Sequence, residues 1–390
     1  MILGFDKYGT ALGTIDFIEL QWNRKYQECG SFVLYIAADD YNAEVKYVQY
    51  SDRPETGMIQ KIEYEEKVGG RFVTLSGFFV DKILDGGAYY AAYNFEGSAA
   101  VGQEIKGYMF AALNLNAAGS LDTGVTDTGK RVVNNLAVDP DSTYPEKLNN
   151  TVEMGEPLGQ SLYSILSDDN MSYTCKPIYH QDETKPLLGL NMKFWKGRDL
   201  RDSVRFSGSL NNVGNIKYTY DESAEYARYQ VLLALPDDTD ATQWAGNYGT
   251  VIGMIVDGTL KYYLQTYYEE ENNKPKDMGK CMPEKVYVAQ VDGIDLVPSN
   301  EQEIVGKMQK AAQLDMLNNY KVESIEVDVL QHRFIYSQDY DLGDICTVSI
   351  DDIRQMYTAR IIEINEVYAS NKLDVTVIMG TPQKQKWRAM

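Results

Sequence analysis

The chain has 390 residues, of which 44% are hydrophobic; this excludes general disorder and fits two to four globular domains. Its 57 acidic and 37 basic side chains give a formal charge of −20, which disfavours tight DNA binding because gripping nucleic acid needs a basic face. The sequence has neither an uninterrupted apolar run of about 18 residues nor a basic segment followed by an apolar one at the N-terminus, so no membrane anchoring and no secretion signal are expected. We therefore expect the chain to fold in a cytoplasm.

The four cysteines, Cys29, Cys175, Cys281 and Cys346, are far apart and form no CxxC pair. This spacing disfavours a disulfide framework and a zinc site, and it predicts scattered reduced thiols.

Residues 1–97 are expected to form mostly strands. The stretch "IELQWNRKYQECGSFVLYI" predicts two strands joined by a tight connection at Gly30, and "GMIQKIEYEEKVGGRFVTLSGFFV" predicts a hairpin that turns at Gly69-Gly70. The 30 tyrosines fit a chain rich in strands and interfaces.

Residues 98–200 are predicted to form a domain with helices and a hairpin. Apolar residues recur every three or four positions near 101–112 and 158–166, which predicts two short helices, and Pro157 suits the first turn of the second. Residues 114–150 are rich in Asn, Asp, Gly and Thr, which predicts a long exposed loop. The segments "MSYTCKPIY" and "LLGLNMKFW" predict a hairpin.

The remainder returns to strands, with one helix predicted at 299–320. Two pairs of segments suggest an internal repeat. Segment 58–78 resembles 358–380, since both have Ile-Glu in a first strand and Val-Thr in a second. Segment 17–36 resembles 215–235, with Trp22 matched to Tyr220. Chance likeness between hairpins remains an alternative; if the repeat is real, the chain holds two similar β-domains.

Four stretches together resemble one protein family: "WNRKYQECGSFVLYI", "MIQKIEYEEKVGGRFVTLSG", "KFWKGRDLRDSVRFSGSLNNVGNIKYTYDES" and "YDLGDICTVSI…ARIIEINEVY". In order and spacing they look like the tail-hub, or baseplate-hub, proteins of long-tailed phages and phage-derived tail-like particles. The resemblance covers roughly 1–235 and 320–380; 236–300 and the 114–150 loop lie outside it.

The resemblance implies a β-rich, α+β fold with two tube-like β-barrel domains and two smaller α+β domains, assembled as a trimeric ring. The expected domains are a first barrel at 1–97, a helix-and-hairpin domain at 98–200, a second barrel at 201–235 plus 321–382, an inserted α+β domain at 236–320, and a tail at 383–390.

The implied function is that of a structural hub. A homotrimer with pseudo-sixfold symmetry would join a hexameric tail tube, or distal tail protein, to a trimeric spike or central fibre. Its lumen would pass the tape-measure protein and DNA in transit. The expected location is the tail tip or baseplate of a virion or tail-like particle, assembled in the bacterial cytoplasm.

Seven residues are candidates for structural or interface roles. Trp22, Tyr26 and Phe32 are expected to pack within or beside the first barrel, and Arg24 and Lys25 either contact a subunit or the tube, or face solvent at a turn. The run "KFWKGRDL" adds Trp195 and Arg198.

No catalytic motif is present, so we expect no enzyme activity, no cofactor and no metal. The only histidines, His180 and His332, lie in no HExxH sequence, and no GxSxG or Walker loop occurs. With so many carboxylates a glycosidase pair stays open, so the alternative is a tail-associated cell-wall-degrading or glycan-binding protein. A deep acidic cleft in 236–320 would favour that alternative. A β-rich binding protein unrelated to phages would lack the trimer.

Overall fold

The structure is a computed structural model of the chain. It describes residues 1–51, 53–88, 91–95, 101–113, 135–146, 148, 151–178, 189–223, 228–234, 252–256, 259–268, 270–271, 274–275, 285–289, 322–369 and 372–385. These fall into two compact units: Met1–Tyr218 with Ser324–Met390, and Thr219–Glu323.

Eight strands form within the first 78 residues, as the short alternating segments predict. They are β1 (Ile2–Phe5), β2 (Ala11–Ile15), β3 (Glu19–Lys25), β4 (Ser31–Ala37), β5 (Tyr47–Tyr50), β6 (Thr56–Met58), β7 (Lys61–Lys67) and β8 (Gly70–Phe78).

The connection between β3 and β4 requires a glycine. A Cβ atom on Gly30 would lie 2.3 Å from the carbonyl oxygen of Asn23 and 2.5 Å from the ring of Phe79. Any side chain there would therefore force the two strands apart. The predicted pair of strands around Gly30 is confirmed.

The middle of the chain contains two helices and short strands. They are β9 (Tyr93–Asn94), α1 (Val101–Leu113), β10 (Asn135–Val138), β11 (Thr151–Val152), α2 (Leu158–Ser167), β12 (Ser172–Ile178) and β13 (Gly189–Trp195). Both predicted helices and the β12–β13 hairpin are confirmed. The predicted loop at 114–150 is wrong at β10, because these residues pair in parallel with β13.

The described residues of the rest of the chain form strands in three different sheets. They are β14 (Arg205–Ser207), β15 (Val213–Asp221), β16 (Arg228–Ala234), β17 (Ile252–Val256), β18 (Thr259–Tyr268), β19 (Glu270–Glu271), β20 (Lys274–Pro275), β21 (Lys285–Ala289), β22 (Val322–Val329), β23 (Ile345–Ile350), β24 (Gln355–Ala369) and β25 (Lys372–Gln385). Within the part of the chain that the structure describes, three short 3-10 helices lie at Ala38–Asp40, Val80–Gly86 and Gly208–Leu210.

The second unit has its own four-stranded sheet, in the order β17-β18-β16-β21. Because β16 pairs with β18 and β21, it does not form a hairpin with β15. The predicted likeness of 215–235 to the β3–β4 pair is therefore wrong in its second strand. The predicted helix at 299–320 lies outside the described residues.

One sheet of ten strands dominates the first unit. Eight strands follow one path, β15-β22-β25-β24-β3-β4-β8-β7, while β23 pairs with β24 and β14. The β-rich prediction is confirmed, but no sheet closes into a barrel among the residues described. The two expected barrels are not separate there, because direct pairing of β24 with β3 makes both halves parts of one sheet.

The two halves of this path repeat each other. The first set is β3-β4-β8-β7, and the second set is β15-β22-β25-β24. In each set the first two strands along the chain pair with each other, β3 with β4 and β15 with β22. The hairpin that follows, β7–β8 or β24–β25, then pairs its second strand with β4 or β22. Burial alternates alike in β4 and β22, where Phe32 and Leu34 match Ile325 and Val327. The counterpart of β4 in the repeat is thus β22. Along the chain, the residues of the second unit come between β15 and β22, where the first set has only the short β3–β4 connection.

Three clusters of buried side chains support this arrangement. The first-set cluster joins β3, β4 and β8 to the small sheet β2-β1-β5-β6, and the second-set cluster lies under β22, β24 and β25. The third cluster holds α1, α2 and the β12–β13 hairpin together and includes Val80 and Leu84 of the 3-10 helix after β8.

Candidate functional site

The junction between the two sets, called the seam here, is the antiparallel pairing of β24 with β3. It runs from Glu363 opposite Lys25 to Ala369 opposite Glu19. Because strands 340 residues apart in sequence meet here, the seam fixes the spacing of the two sets within one chain.

A buried network of charges holds one face of the seam. Arg24 projects from β3 and donates to Glu55 (2.8 Å), to the hydroxyl of Tyr336 (2.6 Å) and to Asp341 (2.7 Å). Burial alone lowers the pKa of Arg24, but the carboxylates of Glu55 and Asp341 and the Tyr336 oxygen raise it well above its ordinary value. Arg24 therefore stays charged and ties the first set to the segment before β23.

A second arginine completes the network from the loop between β5 and β6. Arg53 donates to both carboxylate oxygens of Glu366 on β24, at 2.8 and 2.7 Å, and stacks its guanidinium on the ring of Tyr336. Tyr336 also donates to Glu366 at 2.7 Å. Burial raises the pKa of Glu366 in spite of the two nearby guanidinium groups, so the carboxylate depends on these partners to remain ionised.

The predicted aromatic residues lie in two cores. Trp22 and Phe32 are buried in the first-set cluster, where Trp22 also contacts Phe79. Tyr26 belongs to the second-set cluster and donates its hydroxyl to the carbonyl of Asn170 at 2.7 Å. The expectation that Tyr26 packs within the first barrel is thus wrong, because its ring belongs to the second-set cluster; Tyr26 does lie beside the first set, since it directly follows β3.

The predicted cations have different surroundings. Arg24 is not a solvent-facing turn residue, because its position on β3 shares the buried face with Leu20 and Trp22. Lys25 faces the other side and pairs with Glu28 at 2.6 Å. A subunit or tube contact for Lys25 remains a prediction.

The remaining two candidates lie at and after the end of β13. Trp195 packs edge-on against Tyr26, with ring centroids 5.0 Å apart. Arg198 makes a two-point ion pair with the buried carboxylate of Asp344, with a shortest distance of 2.6 Å. These contacts are within the chain, and an interface role for either residue remains a prediction.

Sequence reasoning missed Arg53, Tyr336 and Glu366. One signal was present: in "ARIIEINEVY" the alternation that buries Ile364 also turns Glu366 inward, and a carboxylate at a core position requires a buried partner.

The two ends of the eight-strand path are open in the part of the chain that is described. The path ends at β7 on one side and at β15 on the other. All seven residues of β7 are exposed, including Ile62 (48%) and Tyr64 (59%), and Tyr220 of β15 is 48% exposed. Exposed strand edges with apolar side chains favour pairing with another strand.

A groove of about 720 Å³ lies between the end of β3, the 3-10 helix at 80–86 and α2. At its base the carboxylate of Asp81 accepts a hydrogen bond from Tyr163 at 2.8 Å, and burial raises the pKa of Asp81 to about 6. Burial and Asp81 also raise the pKa of the Cys29 thiol, as expected for a half-buried cysteine without an activating base.

No group of three or more His, Cys, Asp or Glu side chains within the described ranges is placed to hold a metal ion. His332 is exposed after β22, and His180 lies outside the described residues. Most of 236–320, where an acidic cleft would favour the wall-degrading alternative, also lies outside them. None of the helices described is long and apolar enough to span a membrane.

Comparison with known proteins gives one family and several structural neighbours. The profile of the family described as Siphovirus ReqiPepy6 Gp37-like protein matches residues 2–381. No curated protein matches. A tail protein from Neisseria meningitidis MC58 has a similar fold, with a TM-score of 0.50, 13% identity and coverage of 97% of this chain and 96% of that one.

Two further structures are similar at lower scores. The 43 kDa tail protein of prophage MuSo2 from Shewanella oneidensis has a TM-score of 0.49 at 11% identity and covers 97% of both chains. The prophage tail protein gp18 from Listeria monocytogenes EGD-e has a TM-score of 0.44 at 11% identity, covering 100% of this chain and 95% of that chain.

Proposed function

Since the chain belongs to the family of Siphovirus ReqiPepy6 Gp37-like proteins, we propose that it is a structural hub of a phage tail, three copies of which form a ring. Family membership confirms the resemblance to tail proteins of long-tailed phages that the sequence shows. The tail role is thus a family property, and the ring is the finer proposal.

The observation that carries the proposal is the repeat within the sheet. Each chain has two sets of four strands in the same order, joined edge to edge by the seam. Three chains would place six similar sets around one axis, which gives a ring with threefold and pseudo-sixfold symmetry. Such a ring matches a hexameric tube, or distal tail protein, on one side and a trimeric spike or central fibre on the other.

The face of the sheet turned away from the cores suits a lumen. This face, called the polar face here for its charged residues, also carries apolar side chains such as Val33 and Phe72, and acidic side chains outnumber lysines on it. The acids are Glu19, Glu63, Glu65, Asp221, Glu326, Asp328, Glu363 and Asp374, and the lysines are Lys25, Lys61, Lys67, Lys217 and Lys372. A net negative wall repels DNA and limits its adhesion during transit, and the tape-measure protein would pass the same way. The ring would be assembled in the bacterial cytoplasm and end at the tail tip or baseplate.

The test is the solution mass of the purified chain by light scattering over a range of concentrations, with images of the same sample. The proposal predicts a mass of three chains and ring-shaped particles with a central hole. A monomer at every concentration moves the test to co-expression with tube and spike proteins, because partners stabilise a ring by mass action. A monomer there as well contradicts the proposal.

A further inference from the structure

We propose that the ring is closed by pairing β7 of one chain with β15 of the next, antiparallel, with Glu65 opposite Lys217 and Tyr64 opposite Tyr218. This inference rests on the proposed trimer and names the surfaces that form it. It follows from the internal repeat, because the seam already shows how β24, at the edge of the second set, pairs with β3, at the edge of the first. In the same sets, β7 corresponds to β24 and β15 corresponds to β3.

The equivalence of β7 and β24 is fixed by their hairpins. At the ends of the hairpins, Lys67 pairs with Gly70 in the first and Ala369 with Lys372 in the second. On the face of the sheet that is turned toward the buried clusters, called the core face here, the pairs Ile62–Leu75 and Tyr64–Val73 correspond to Ile364–Val377 and Glu366–Val375. Tyr64 therefore occupies the position of Glu366.

The equivalence of β3 and β15 follows from their neighbours. The amide of Asn215 donates to Asp328 at 2.8 Å, and Lys217 lies 3.6 Å from Glu326. Since β22 matches β4, these contacts make Gln21 the counterpart of Lys217, and Trp22 the counterpart of Tyr218. The sequence alignment of Trp22 with Tyr220 is out of register by two residues.

The register of the seam can now be transferred to the open edges. In the seam Glu366 lies opposite Trp22, and Val367 lies opposite Gln21. At the proposed contact Tyr64 therefore lies opposite Tyr218, and Glu65 lies opposite Lys217.

The side chains brought together are complementary, although the transfer used no contact of the charged side chains of β7. Lys61 meets Asp221 and Glu65 meets Lys217 on the polar face, while exposed Ile62 meets exposed Tyr220 on the core face. A shift of two residues in one direction would instead oppose Glu63 to Asp221 and Lys67 to Lys217, which are like-charge pairs. A shift of two residues in the other direction would keep one opposite-charge pair, Glu63 with Lys217, instead of two.

The equivalent strand shows what such pairing would cover. Ile364 and Glu366 of β24 are 0% exposed, whereas Ile62 and Tyr64 of β7 are about half exposed. The occupant of this edge is thus a second copy of the chain, whose β15 presents an open edge with matching side chains.

The experiment is disulfide trapping in the full-length chain, read together with the solution mass. The variant E65C/K217C should give chains covalently linked into dimers and trimers on oxidation, since directly opposed residues come within disulfide reach. The matched control E63C/K217C is displaced by two residues and should stay unlinked, as should the parent chain.

A charge swap provides a second readout that needs no oxidation. E65K places two lysines opposite each other and should weaken the trimer by about tenfold or more, and E65K/K217E should restore it. E63K, which faces Thr219, is the matched control and should assemble like the parent.

The outcomes separate the two claims. A parental trimer with no E65C/K217C link, or with a link only in E63C/K217C, overturns the β7–β15 contact and leaves the hub intact. A trimeric parent for which the swap fails to restore assembly also overturns the contact. A parent that stays monomeric even with tube and spike proteins overturns both.

Discussion

Strands β7 and β24 occupy equivalent places in the two sets, yet their surroundings are opposite. β24 is covered by β3, with Glu366 buried among Arg53, Arg24 and Tyr336. β7 is exposed along its whole length and carries Tyr64 where β24 carries Glu366. Strand β24 thus has a neighbour on both sides within the chain, whereas β7 is an open edge among the described residues.

This difference gives a chain that contains a repeat a way to distinguish two similar contacts, the β24–β3 seam within the chain and the proposed β7–β15 contact between chains. The seam within the chain uses charges from distant segments, which pair only in the right fold and are costly when misplaced. The open edge uses exposed apolar and singly charged side chains, which a soluble subunit tolerates and a second copy can cover. Specific charges inside the seam thus disfavour pairing of β24 with the wrong chain.

The largest expected effect is at the seam. Glu366→Ala leaves buried Arg53 without its carboxylate and should lower the free energy of unfolding by about 3–5 kcal/mol. Tyr64→Ala, at the equivalent place on β7, should change it by no more than about 0.5 kcal/mol under conditions where the chain is monomeric. Urea unfolding of both variants measures the contrast, and equal losses would contradict the comparison.

A second effect is expected after the first hairpin. The 3-10 helix that follows β8 buries Asp81, and this burial raises the pKa of Asp81 from 3.8 to about 6. Below about pH 4 the carboxyl is protonated in both states; between about pH 4 and 6 only the folded state keeps the proton, so stability falls as pH rises, by about 3 kcal/mol in total.

Urea unfolding across this pH range checks the prediction, with Asp81→Asn as the matched variant. The amide can still accept from Tyr163 but does not titrate, so this part of the pH dependence should vanish. An unchanged pH profile in the variant would show that other groups are responsible.

A smaller effect is expected at the open edge. Tyr64→Ser removes apolar surface from the proposed contact and should weaken the trimer by about tenfold, corresponding to about 1.4 kcal/mol. Val68→Ser, at the exposed turn of the same hairpin, is the control and should leave assembly unchanged. Light scattering as a function of concentration distinguishes the two, and a weakened trimer in both variants would argue for a contact centred on the turn.

The smallest effect on assembly is expected from the polar face. Changing Glu19 and Asp374 to Gln and Asn should leave the ring and its stability nearly unaltered, because both side chains lie on the solvent-facing side of the sheet. If the face lines the lumen, phages carrying these changes should deliver their genome more slowly. Normal delivery from correctly assembled particles would contradict the lumen assignment.

Local features were predictable from the sequence. The alternation in "SFVLYIA" fixes which face of β4 is buried, and the repeat of Ile105, Tyr108 and Ala112 identifies α1, because both depend on neighbouring residues. The match between 58–78 and 358–380 also corresponds to equivalent hairpins, β7–β8 and β24–β25. It is in register for Val73-Thr74 with 375–376, but it is two residues out of register for Ile62-Glu63, because the counterpart of Ile62 is Ile364 and not Ile362.

Long-range features were not predictable in the same way. The strand equivalent to β4 is β22, about 100 residues after β15, and the similar segment near 228–234 belongs to another sheet. The seam network joins Arg24, Arg53, Tyr336 and Glu366, which are close only after the two sets pair. Arg24 alone looked like a turn cation, since its burial depends on residues about 300 positions later.

The most direct test of the central claim is an image reconstruction of the assembled particle at a resolution that separates strands. We predict three chains around one axis, with eight strands of each in a continuous ring and β7 of each chain beside β15 of the next. A ring with another number of chains, or a trimer in which β7 remains exposed, would contradict this arrangement.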